Sequence, residues 1–90
     1  MADIRRIKAR IRAIAEGNRK NVTVEDIRWV VSNLGRNGYL TKESGTGHLL
    51  FRVGNKRFGV CEHNPGSSQI KRCYVDDFIG VMIDLDLYEE

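Results

Sequence analysis

The chain has little proline, little cysteine, few aromatic side chains and no long apolar run. One proline in 90 residues, beside 41% apolar and 30% charged residues, excludes a proline-rich or collagen-like chain and argues against disorder. Two cysteines, Cys61 and Cys73, cannot build a disulfide framework and are not spaced as Cys-x-x-Cys. No apolar run exceeds three residues, as in Trp29-Val30-Val31 and Val81-Met82-Ile83. A membrane-spanning helix needs roughly 20. The basic start lacks the apolar stretch of a secretory signal. Residues 1–20 contain no serine, and Asp3 and Glu16 interrupt them, which weighs against a mitochondrial presequence. No Gly-x-x-x-x-Gly-Lys loop and no Gly-x-Ser-x-Gly elbow occurs. The expectation is a cytoplasmic protein with free thiols and a single core, too short for separate substrate and cofactor domains.

Charge of one sign is missing locally. Residues 76–90 contain six acids and no base. Residues 1–20 hold seven Lys/Arg against two acids, and residues 21–75 hold eight against four. The formal net charge of +3 therefore joins a strongly basic body to an acidic end. A polyanionic partner follows, with nucleic acid first among them.

Residues 3–16 read as a helix, with Ile4, Ile7, Ile11 and Ile14 on one stripe, Asp3 as cap and Gly17 as stop. The stripe has three uses open to it: docking on the rest of the chain, pairing with a second chain, or lying on an anionic surface. Residues 18–21 read as a linker. Residues 24–34 read as a second helix, with a Thr23/Asp26 capping box, a Val22/Ile27 staple and an Ile27/Val30/Val31/Leu34 face. Gly35 and Gly38 end it. Three strands follow at 39–43, 48–53 and 57–61, the last two joined by a Gly54-Asn55 turn. Residues 75–83 read as a closing helix with Asp76 and Asp77 in its first turn, while Ile83-Asp84-Leu85-Asp86-Leu87 also alternates like a strand.

The segment Ser44-Gly45-Thr46-Gly47-His48 is the strongest candidate for chemistry. A glycine-rich turn lets the backbone approach a ligand and turns amide N–H groups toward phosphate oxygens. A histidine at its edge is a fit general acid or base. Lys42, Arg52, Lys56 and Arg57 lie near it in sequence and supply phosphate contacts. The plainer reading is a hairpin loop closed by glycines, with His48 on the strand surface. Cys61, His63 and Cys73, with His48, have the ligand types of a zinc site but the spacing of none, so no metal or other cofactor is expected. Trp29 lies about 50° off the centre of its helix face, counting roughly 100° per residue. It is either an edge-of-core residue or an exposed stacking platform. The acidic end reads as solvated. A second reading folds it over the basic patch, in competition with nucleic acid.

The order helix, three strands, helix over residues 22–83 resembles the double-stranded-RNA-binding domain. More narrowly, Arg36-Asn37-Gly38-Tyr39, then Thr46-Gly47-His48 with Phe51 three residues on, is similar to the HicA family of small mRNA interferase toxins. The basic strand at 56–61 and the His/Pro/Gly loop at 63–66 continue the likeness. The resemblance implies an α+β fold, an α-β-β-β-α domain (22–90) with a three-stranded antiparallel sheet packed on helices; the N-terminal helix and linker (1–21) are an addition to the family's pattern. It implies His48 as catalytic residue, working on the RNA 2′-OH or the leaving oxygen, and a HicB-type antitoxin as protein partner. Lys42, Thr46, Gly47, Arg52, Lys56 and Arg57 are the expected RNA contacts. The alternative is a non-catalytic interaction module that dimerises or docks through the Ile-striped helix.

Overall fold

The computed structural model describes residues 3–17, 19, 21–45, 48–61 and 69–89. Two helices, α1 (Ile4–Glu16) and α2 (Val24–Arg36), precede three strands, β1 (Thr41–Ser44), β2 (His48–Val53) and β3 (Lys56–Cys61), and a last helix, α3 (Arg72–Asp84). The sheet is antiparallel in the order β1-β2-β3. The fold is α+β, as expected.

Local chemistry explains most boundaries. The Asp3 carboxylate accepts the Arg6 amide at 3.0 Å and starts α1. At α2 the Asp26 amide donates to Thr23 Oγ1 at 3.2 Å, and the Thr23 amide donates back to Asp26 Oδ2 at 2.9 Å. The capping box is thus closed in both directions. The end of α2 is a Schellman motif. Gly38, at φ +100°, lets its own amide reach Gly35 O and the Tyr39 amide reach Leu34 O. Tyr39 therefore terminates a helix instead of opening a strand, and β1 begins two residues later than expected.

The closing helix starts three residues earlier than its apolar spacing suggests. Asp76 and Asp77 consequently lie beyond its first turn. What sets this start is tertiary: the Ile70 amide donates to Val22 O at 3.0 Å, and Thr23 bridges to Gln69 just before the helix begins. Asp76 instead takes the Arg19 guanidinium at 2.7 Å, tying the α1–α2 connection to α3. After Asp84 the chain repeats the Schellman geometry with Asp86 at φ +60° and the Leu87 amide on Met82 O at 2.8 Å. Leu87 is buried, so the alternation at 83–87 reflects a helix end and not a strand.

Both α2 and α3 cover one face of the sheet, α2 over β1 and β2, and α3 over β3. Phe51 and Phe58 pair across the strands with ring centroids 5.6 Å apart, and Phe58 meets Phe78 of α3 edge-on at 5.5 Å. Helix α1 packs against α2 and α3. Of the three uses open to its stripe, the structure has docking: Ile7 and Ile11 are fully buried and Ile14 nearly so. Each buried Ile contributes about 1.5–3 kcal/mol, a large share of the roughly 5–15 kcal/mol that stabilises a domain. Among the described residues no helix is long and apolar enough to cross a membrane.

Candidate nucleic-acid interface

The covered face of the sheet dictates what the other face carries. Phe51, Val53, Phe58 and Val60 point into the core. Side chains alternate along a strand, so His48, Leu50 and Arg52 of β2, and Arg57, Gly59 and Cys61 of β3, point the other way. On β1, Glu43 reaches the Arg28 guanidinium of α2 through two contacts of 2.9 Å, which fixes Lys42 on the open face.

The register then aligns three cations. Lys42 pairs with Arg52, and Arg52 pairs with Arg57, so one row crosses all three strands. All three side chains are exposed. No Asp or Glu of the three strands lies on this face. Like charges directly opposite in a sheet are destabilising, so the fold tolerates a cost here. Arg52 Nε is steadied by a 3.2 Å hydrogen bond to Gly54 O. Leu50 (42% exposed) lies on the same face, and Leu40 (80% exposed) stands two residues before Lys42.

His48 pairs with Cys61 at the far end of β2 and is exposed. Four residues at about 3.3 Å each separate its row from the Arg52 row by roughly 13 Å. Tyr74 of α3 stands edge-on to the imidazole with centroids 6.0 Å apart. The ring lies over Gly59, where a Cβ would come within 3.1 Å of His48 Nε2. Gly45 turns the chain into β2 at φ +89°, and a Cβ there would collide with the His48 carbonyl oxygen. A glycine at 45 is thus required by the backbone itself. Cys61 and Cys73 are not bridged.

Of the expected RNA contacts, Lys42, Arg52 and Arg57 come together. Lys56 does not join them. It has the parity of Phe58 and Val60, and its ammonium lies 3.8 Å from Asp84 of α3. Thr46 and Gly47 lie outside the described residues, as do residues 62–68, which include His63. Among the described residues of the acidic end, Asp86, Tyr88 and Glu89 border a groove with Arg5, Lys8 and Arg12 of α1. Two members of the face went unnoticed in the sequence, Leu50 and Tyr74. The parity of β2 was enough to find Leu50, whereas Tyr74 enters only through the packing of α3.

Electrostatics single out the other side of the sheet. The Arg28 hydrogen bonds hold the Glu43 carboxyl below its ordinary range, and Glu43 in turn holds the Arg28 guanidinium above its own. Comparison with protein-family models, with curated proteins and with solved structures gives no match for this chain.

Proposed function

We propose that this chain is an RNA-binding protein that grips the phosphodiester strand on the open face of its sheet, with His48 placed to act on the bound strand as an mRNA interferase does. One observation carries the binding half: Lys42, Arg52 and Arg57 stand side by side across three strands with no carboxylate of those strands on their face. Such a row neutralises successive phosphates and releases their counterions. The exposed Leu50 and Leu40 supply apolar contact for unstacked bases.

The cleavage half rests on His48 and the resemblance to HicA toxins. An imidazole above the sheet surface takes the proton of a 2′-OH as that oxygen attacks the adjacent phosphorus, or returns a proton to the leaving 5′-oxygen. The cation row lies roughly 13 Å along the strand, so it anchors phosphates beside the scissile one. On this reading the protein partner is a HicB-type antitoxin that covers the same face. The alternative interaction module would need Ile7, Ile11 and Ile14, which are buried in this chain's own core.

The test uses labelled single-stranded RNA with the purified chain. Binding by anisotropy at low salt is expected, together with cleavage. His48→Ala is expected to keep the binding and lose both cleavage and growth arrest on expression. A His48→Ala variant that still cleaves removes the histidine from the mechanism, and absence of RNA binding at low salt removes the whole reading.

A further inference from the structure

A second cationic site lies in the groove between α1 and α2. Arg6 and Arg10 of α1 and Arg28, Trp29, Ser32 and Arg36 of α2 line it. The carboxylates that border it are already engaged. Glu25 takes Arg28 at 2.7 Å, and Asp26 holds the Thr23 amide at 2.9 Å with Arg10 at 3.7 Å. Arg28 is further held by the Glu43 fork. Arg6 and Arg36 are exposed, and among the described residues neither side chain forms an ion pair or hydrogen bond.

Trp29 has a specific part in this groove. The Arg10 guanidinium lies 4.5 Å from its ring centroid. A stacked guanidinium keeps the N–H groups at its edge available, and it has already lost much of the rotamer freedom that ligand binding would remove. Arg6 stands one turn from Arg10, toward the end of the groove where α2 presents Ser32 and Arg36. A polar groove with several arginines and one aromatic is the combination by which single-stranded nucleic acids are held.

We infer that this groove binds the phosphodiester backbone of single-stranded RNA through Arg6, Arg10 and Arg36, with Trp29 as the residue that positions Arg10. The choice of RNA rests on the function proposed above, but the groove uses none of the residues of the sheet face. The two sites would engage one strand from different sides of the molecule.

Trp29 is the only tryptophan in the chain, so its emission reports this groove directly. The experiment titrates the full chain with a labelled single-stranded RNA and follows tryptophan emission and RNA anisotropy together. Wild type is expected to show a saturable change in emission. A sheet variant (Lys42→Thr, Arg52→Thr, Arg57→Thr) is expected to keep that change. A groove variant (Arg6→Ala, Arg36→Ala), with its fold checked by circular dichroism, is expected to shift its midpoint at least about tenfold, since two charge-assisted contacts are lost. RNA binding with silent tryptophan overturns the groove and leaves the sheet reading intact. An emission midpoint that is unchanged in the groove variant, or an emission change that vanishes in the sheet variant, also overturns it. An equal change with polyglutamate shows a site for acidic protein and overturns the RNA assignment. No anisotropy change with any form removes both readings.

Discussion

Replacing Lys42, Arg52 and Arg57 together with threonine tests the reasoning at the sheet face, and its size follows from the register. The three positions are direct cross-strand neighbours. If each contacts one phosphate, the slope of log K against log salt should flatten by about 0.7 per contact on a single strand, or about two in all. Over a fourfold rise in salt, from 50 to 200 mM, the wild type should lose about 20-fold more affinity than the variant. Fold stability should move the other way. Two adjacent like-charge pairs at about 7 Å repel by about 0.6 kcal/mol each in water before salt screening. Threonine keeps the strand preference, so thermal unfolding should be unchanged or slightly later. The assay is RNA anisotropy at several salt concentrations beside a melting curve. A wild-type slope in the triple variant would refute the claim that this row contacts phosphates. A large drop in melting temperature would show that the row supports the fold instead.

Two further predictions concern the scaffold. Gly80 lies in α3, exposed, and a Cβ there meets no atom within 4 Å. Gly80→Ala should therefore stabilise the chain by about 0.8–1.0 kcal/mol, raising the melting temperature by roughly 4–8 °C; a lower melting temperature contradicts the open space assigned there. Glu43→Gln should cost at most about 1 kcal/mol at pH 7, because the Arg28–Glu43 pair is partly exposed. Its folded carboxyl titrates below its ordinary range, so the contribution is complete above that range and is lost as pH falls through the depressed value. The gap between wild type and variant in denaturant melts should close below about pH 4; a gap of unchanged size at pH 3 would discount the ion pair.

The elements that could be read from the chain are those whose causes are local. Asp3, Thr23 with Asp26, Gly38 and Gly54-Asn55 each act within a few residues, and each sits where the spacing placed it. The errors have two kinds of cause, the first local and the second distant. β1 starts late because Tyr39 closes a Schellman motif, and α3 starts early because Gln69 and Ile70 join the segment before α2. Lys56 illustrates a different failure. It is adjacent to Arg57 in sequence, yet the two-residue period of the strand sets adjacent residues on opposite faces. The Arg10–Trp29 stack had no signal in the sequence, since the isoleucine stripe says which face of α1 docks but not which side chains of α2 stand beside it.

Sequence alone determined the α+β order, the N-caps of α1 and α2, the glycine turns and the excess of base over acid in the first 75 residues. These depend on side-chain type and short spacing, which folding does not change. Tertiary structure decided where the charges went. Antiparallel register put Lys42, Arg52 and Arg57 in one row, and α3 drew Lys56 to Asp84. Docking of α1 buried its isoleucines and laid Arg10 on Trp29. A row of charges across three strands joins positions 42, 52 and 57 through backbone pairing, and such pairing forms only when distant segments meet.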